Sequence, residues 1–173
     1  DMAGVDIDAV TQQAEFVSED TSNPSVDSFS VVMTTDFEAV TITFDETVDV
    51  STLDVTKIGL QSTSNGTEDT NVVLYLSVAS SVSTDSTNVV VELEKVEVDE
   101  LKRLGICVSN ATCFITVLAN VIQDMNSNPC EPLVTSNSLL ADFVRPDTTP
   151  PVLEDVLLFD FDLQIVSLSF SEP

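Results

Sequence analysis

The chain has 173 residues, of which 30 are acidic and 5 are basic, and its formal net charge is -25. A surface this acidic repels nucleic-acid phosphate and anionic lipid, so nucleic acid and direct membrane insertion are excluded as partners. Histidine, the commonest general base and a common zinc ligand, is absent. No apolar run reaches the length of a membrane-spanning helix. We therefore do not expect an enzyme.

Taken in chain order, the predicted elements are short strands. Residues 26–34 and 39–44 form a predicted hairpin with its turn at Thr35 and Asp36, and residues 41–44 alternate between polar and apolar as a half-buried strand does. Five further strands are predicted over residues 57–61, 72–78, 88–93, 113–118 and 139–144.

One short helical turn is predicted over residues 98–104, where Leu101 and Leu104 share a face and Lys102 and Arg103 lie on the polar side. Seven short strands separated by polar turns are typical of an antiparallel sandwich. The predicted fold class is therefore all-β, with Ig-like antiparallel β-sandwich repeats of about seven strands in tandem.

The cysteines and sequons indicate a secreted, extracellular location at the cell surface or in an appendage. Cys107 and Cys113 bracket a short loop and are interpreted as a local disulfide, with two buried free thiols as the alternative. Cys130 could be free, replace one of these partners or bond to another chain. Asn65 and Asn110 each begin an N-x-[ST] glycosylation sequon in a polar stretch.

The most informative feature is an internal repeat. The matching segments are DTSNPSV at 20–26 with DTTPPV at 147–152, DFEAVTITFDE at 36–46 with DLQIVSLSFSE at 162–172, and AEFV at 14–17 with ADFV at 141–144. The offset in residue number between the two members of each matching pair is nearly constant. We expect the end of a preceding repeat at 1–19, a complete repeat at 20–146 and the opening hairpin of the next repeat at 147–173, within a longer protein.

Several of these strings resemble a known family. DTTPP at 147–151 followed by LSFSEP at 168–173 resembles the opening of bacterial Ig-like repeats of the S-layer type. FDETV at 44–48, STL at 51–53 and IGLQ at 58–61 are similar to the continuation of that pattern. The resemblance implies a giant repeat-bearing surface or appendage protein of bacteria, algae or other protists, and flagellar hairs (mastigonemes) are one such appendage.

Calcium is the one ion that the acidic residues suggest. Asp124, Asn126 and Asn128 offer oxygen atoms at alternate positions, as the first half of a calcium loop does. The alternative is a solvated turn rich in Asp and Asn.

A second set of candidate calcium ligands recurs at the predicted junctions between units. Its members are Asp20 and Asp147 before each unit, Asp36 and Asp162 at each hairpin turn, and Glu46 and Glu172 after each second strand. Calcium bound there would stiffen the chain and relieve carboxylate repulsion. The alternative is turn capping by Asp and solubility from Glu.

Two functional hypotheses follow. The first is a structural subunit of an extracellular filament, appendage or surface layer, in which copies or neighbouring repeats contact one another head-to-tail. The second is a calcium-stiffened stalk of a cell-surface adhesin or ligand-binding protein. Paired carboxylates at Asp6 and Asp8, and at Asp160 and Asp162, could serve acid–base chemistry, but alternating acids in a strand usually face solvent. No catalytic residue is assigned.

Overall fold

The computed structural model describes residues 16, 18–34, 37–64 and 72–172. Within these ranges the chain is mostly β-structure with one short helix. The strands are β1 (Val26–Thr34), β2 (Phe37–Asp49), β3 (Ile58–Gln61), β4 (Val73–Tyr75), β5 (Ser86–Glu92), β6 (Phe114–Val117), β7 (Gln123–Asp124), β8 (Leu139–Leu140), β9 (Phe143–Arg145), β10 (Leu153–Asp160) and β11 (Ile165–Phe170), and the helix is α1 (Lys95–Leu104).

Strands β1 to β9 form two sheets that share one core. The first sheet has the order β5-β2-β1-β9, with β7 paired to the far end of β2, and the second has the order β4-β3-β6-β8. Phe29 and Ile42 of the first sheet belong to the same buried cluster as Leu60 and Ile115 of the second. The predicted all-β sandwich is confirmed at this level.

In the hairpin β1–β2, every second side chain of β1 from Phe29 to Met33 is buried in the core. These side chains are Phe29, Val31 and Met33, and β2 covers the strand along its whole length. The observed β1 has the predicted bounds. Both residues of the predicted turn, Thr35 and Asp36, lie outside the described residues.

The end of the sandwich differs from the prediction. The single strand predicted over residues 139–144 is wrong, because the chain crosses there from one sheet to the other. Ala141 donates its N–H to Cys113 O at 2.9 Å, and Asp142 donates its N–H to Phe29 O at 2.9 Å. Strand β8 therefore pairs with β6, whereas β9 pairs with β1 in parallel, so the sandwich is not wholly antiparallel.

Helix α1 begins three residues earlier than predicted. Glu94 donates its backbone N–H to the Glu97 carboxylate at 3.1 Å, which holds the first turn. The same buried carboxylate, through Oε1, accepts the N–H groups of Ser77, Val78 and Ala79 at 2.7, 3.1 and 3.3 Å. Glu97 thus ties the helix to the chain after β4.

Strands β10 and β11 form a separate two-stranded sheet. Its apolar side chains are exposed, among them Val156, Leu158, Leu168 and Phe170. Nothing in the described residues buries them as β3 and β6 bury the core face of β1 and β2. In the part of the chain that the structure describes, no helix has both the length and the apolar character needed to cross a membrane.

Candidate functional site

The predicted disulfide is present. Cys107 and Cys113 are joined with an S–S distance of 1.99 Å, and both side chains are fully buried. Cys130 is a free thiol buried in the core, and burial raises its pKa to about 12. Because it is buried and protonated, Cys130 is not placed to bond another chain.

The described sequon, at Asn110, lies inside the disulfide loop. Its exposed side chain donates Nδ2–H to Asp142 O at 2.8 Å and accepts the N–H of Val144 at 2.9 Å. A glycan on Nδ2 would leave one N–H for the first bond. Glycosylation of Asn110 stays a prediction, and Asn65 lies outside the described residues.

Three of the predicted calcium ligands lie together at the head of the sandwich. One carboxylate oxygen each from Asp20, Glu46 and Asp124 lies within 4.8 Å of the others. Asp20 comes just before β1, Glu46 is in the second half of β2, and Asp124 ends β7, which pairs with that half of β2. We call these three residues the acidic head cluster.

The electrostatics of the acidic head cluster favour a cation. Burial, and then the negative charges of Asp20 and Asp124, raise the pKa of Glu46. For Asp124 burial acts in the same direction, but hydrogen bonds from Asn128 and Asn126 outweigh it and lower the pKa. A bound positive charge would remove the repulsion that Glu46 feels.

The two asparagines of the predicted calcium loop act as hydrogen-bond donors in the structure. Asp124 Oδ1 accepts the N–H groups of Asn126 and Asn128 at 2.8 and 2.7 Å. Asn128 Nδ2 donates to Asp124 Oδ2 at 2.7 Å and to Asp20 O at 3.2 Å. Calcium takes six to eight oxygen ligands, so three carboxylates fit it only in part. Calcium here stays a prediction.

Two further junction carboxylates, Asp147 and Glu172, bind a lysine. Lys102 Nζ donates to Asp147 Oδ2 at 2.6 Å and to Glu172 Oε2 at 2.7 Å. The Lys102 side chain is 20% exposed and each carboxylate side chain 11%, so the contact is shielded from solvent. On the same helix, Lys95 Nζ donates to Ser171 O at 3.1 Å. We call these contacts the lysine clamp.

The pKa shifts of Asp147 and Lys102 have the directions that an ion pair produces. The Lys102 ammonium, followed by the N–H of Thr149, holds the pKa of Asp147 well below its usual range. Burial alone would lower the pKa of Lys102, but its hydrogen bonds to Asp147 and Glu172 raise it overall. The sequence predicts only that Lys102 lies on the polar side of the helix. The chain has 5 basic and 30 acidic residues, and this imbalance is the one sequence feature that points to carboxylate partners for Lys102.

The segment before β10 folds like the segment before β1. The Ser22 N–H donates to Asp20 Oδ1 at 3.0 Å, and the Thr149 N–H donates to Asp147 Oδ1 at 2.7 Å. These turns align Asp147 with Asp20.

The two hairpins also begin with the same bonds. The Ser25 N–H donates to the Asp45 side chain at 2.8 Å, and Asp45 N–H returns a bond to Ser25 O at 3.1 Å. Val152 and Ser171 make the same two bonds at 3.0 and 2.9 Å. Glu172, which follows Ser171, therefore corresponds to Glu46, which follows Asp45.

The registers of the two hairpins agree over the opening pairs, and β10–β11 then has a second shift, between Val156 and Leu158, that β1–β2 lacks. Val26 pairs with Phe44 and Leu153 pairs with Phe170, and in both hairpins the register shifts by one residue immediately afterwards. The next apolar pairs are Phe29 with Ile42 and Val156 with Leu168.

Among the described residues, the predicted ligand Asp162 joins neither group of carboxylates. Asp162 is exposed in the turn after β10, and the residue that caps this turn is Asp160, whose Oδ1 accepts the N–H groups of Asp162 and Leu163 at 2.9 Å each. Asp36, its predicted counterpart, lies outside the described residues, as do Asp6 and Asp8.

Comparison of the chain with known protein families, with curated proteins and with solved structures finds no match.

Proposed function

We propose that this chain is part of a structural subunit of an extracellular filament, appendage or surface layer built from tandem copies of the β1–β9 sandwich. We call the Asp turn before the first strand of a hairpin, together with the adjacent end of its second strand, the hairpin head. The observation that carries the proposal is the likeness of the two hairpin heads. They share the Asp turn, the bonds that open the hairpin and the register shift that follows. A second unit that begins with the first unit's bonds is what a tandem array requires.

The lysine clamp supports a defined angle between successive units. Tandem domains joined by linkers move relative to one another unless their interface is extensive. Here helix α1 of the sandwich holds both ends of the following hairpin head, through Asp147 and Glu172. A regular filament needs tandem units that keep a fixed orientation relative to one another. The proposed role is non-catalytic.

The disulfide Cys107–Cys113 supports an extracellular location, since disulfides persist in oxidising compartments. The high negative charge fits the same setting, because it keeps a surface-exposed array from nonspecific association. In a filament, contacts would form head-to-tail between neighbouring units or copies of the chain.

One observation favours a second candidate, a calcium-stiffened stalk that carries an adhesive or ligand-binding domain. The acidic head cluster brings three carboxylates together without a lysine among the described residues. Calcium bound by Asp20, Glu46 and Asp124 would stiffen each junction.

Electron microscopy of the native secreted material tests both candidates. For a filament we expect regular fibres whose axial repeat matches one or two sandwich lengths. Samples treated with a calcium chelator, and samples to which calcium is then restored, form the matched pair. Fibres that persist in chelator would reject calcium as the stiffening agent. Isolated strings that end in a distinct head would reject the filament and favour the stalk.

A further inference from the structure

Two carboxylate pairs occupy corresponding positions in the two hairpins. Asp20 and Glu46 occupy the same places in the first hairpin head as Asp147 and Glu172 occupy in the second. One of these pairs has a cationic partner in the structure, and the other lies in the acidic head cluster with Asp124.

Asp147 and Glu172, the pair with a cationic partner, show which cation such a hairpin head binds. It is an ammonium group presented by the helix of the unit that comes before, since Lys102 lies in α1 and the hairpin follows it in the chain. Lys95, two turns earlier on the same face of α1, donates a hydrogen bond to the backbone oxygen of Ser171, the residue that corresponds to Asp45. The helix therefore contacts both ends of the hairpin head.

The geometry of the two pairs is compatible with the same ligand. Two oxygens that bind one ammonium at 2.6 and 2.7 Å lie no farther apart than the sum of those distances. The oxygens of Asp20 and Glu46 lie within 4.8 Å of each other, which is the same range. Asp124 adds a third negative charge, so the head attracts a cation more strongly than the second pair alone does.

We infer that Asp20 and Glu46 form a docking surface for a helix-borne lysine of a preceding unit, in the way that Asp147 and Glu172 bind Lys102. The partner surface is the face of a helix like α1 that carries one lysine at the position of Lys102 and a second one two turns earlier. The inference rests on the proposed tandem arrangement, and it names the contact that sets the orientation at each junction.

A two-unit protein tests this directly. Residues 1–146 are followed without a linker by residues 20–173, so that Asp20 of the second unit replaces Asp147 after Pro146. The complete sandwich occurs twice, and the native clamp is kept at the second junction. A carbodiimide joins lysine to a carboxylate only where the two groups are in contact, and mass spectrometry then identifies the linked residues.

We expect a link from Lys102 of the first unit to Glu46 or Asp20 of the second, at a yield comparable with the link from Lys102 to Glu172 at the native junction. Lys102→Ala in the first unit should abolish the new link, and Lys102→Ala in the second unit should leave it unchanged. Circular dichroism confirms that both variants are folded.

A new link that is absent while the Lys102–Glu172 link forms would overturn the inference. So would added calcium that blocks the new link without affecting the native one, because the cluster would then be a metal site. Both cross-linking results are independent of whether fibres form in the proposed electron microscopy experiment. A link without fibres would reject the filament and keep the docking surface, whereas fibres without a link would do the reverse.

Discussion

The hairpins β1–β2 and β10–β11 have similar sequences and the same opening register, yet they have opposite environments. Phe44 is 3% exposed, whereas Phe170, at the corresponding position, is 49% exposed. The opening register of such a hairpin therefore follows its local sequence, whereas the pairing of β10–β11 departs from that of β1–β2 after Val156. The second sheet, with β3 and β6, is what turns the apolar face of the first hairpin into a core. The opening register is a local property here, and burial is not.

The largest expected effect comes from making one substitution in both hairpins. Phe44→Ala should lower the free energy of unfolding by about 3–5 kcal/mol, as large-to-small changes in a core do. Phe170→Ala is the matched control and should change it by no more than about 0.5 kcal/mol, as at a surface position. Urea denaturation followed by circular dichroism measures both. Equal losses would show that the second hairpin is buried after all.

The next effect concerns the buried carboxylate that holds α1 to the sandwich. Glu97→Ala leaves the N–H groups of Ser77, Val78 and Ala79 without their acceptor and should cost about 3 kcal/mol of unfolding free energy. Glu92→Ala, at an exposed position in β5, is the control and should have little effect. If the two variants unfold at the same urea concentration, Glu97 is not a structural link.

The disulfide should contribute less. For the short loop between Cys107 and Cys113, the entropy that the cross-link removes from the unfolded chain corresponds to about 2 kcal/mol. The double variant Cys107→Ser, Cys113→Ser should lose that amount in the sandwich and leave amide exchange in β10–β11 unchanged. An exchange rate that rises in the hairpin would mean that the two regions are coupled through this loop.

The smallest effect on global stability should come from the lysine clamp, which joins the two regions. Lys102→Met should speed amide hydrogen exchange in β10 and β11 while leaving the unfolding midpoint of the sandwich nearly unchanged. Arg103→Met is the matched control, since Arg103 is exposed and pairs with Glu100 on its own helix. Equal amide exchange rates in the two variants would show that the lysine clamp does not protect β10 and β11.

The same contact predicts a pH window for hairpin protection. The lowered pKa of Asp147 means that its contribution is present above the ordinary value of 3.8 and is lost as the pH falls through the folded value. The raised pKa of Lys102 means that its contribution is present below 10.5 and is lost as the pH rises through the folded value. Hydrogen exchange should therefore show the Lys102-dependent protection between these limits, and none in Lys102→Met.

Prediction from sequence succeeded where the cause was local. The bounds of β1 were predicted from a strand-like segment before a turn, and the disulfide from the short loop between Cys107 and Cys113. The split between β8 and β9 did not, because the crossing at Ala141 depends on acceptors in both sheets, Cys113 O and Phe29 O. The parallel pairing of β9 with β1 is equally non-local.

The candidate site divides in the same way. The recurrence of Asp20, Glu46, Asp147 and Glu172 was visible in the sequence, because the repeat carries it. Their partners were not visible. The contact of Lys102 with the second pair, and of Asp124 with the first, depends on how α1 and β7 lie in the folded sandwich.

The parallel pairing of β9 with β1 has a mechanical consequence. The two strands are joined side by side, with Ser30 opposite Phe143 and Val32 opposite Arg145. In the proposed tandem chain, tension would pull the start of β1 one way and the end of β9 the other. Parallel strands pulled from opposite ends are loaded in shear, so their hydrogen bonds resist together and do not open one at a time. The β1–β9 pair would thus resist tension in shear along the line that connects one proposed unit to the next.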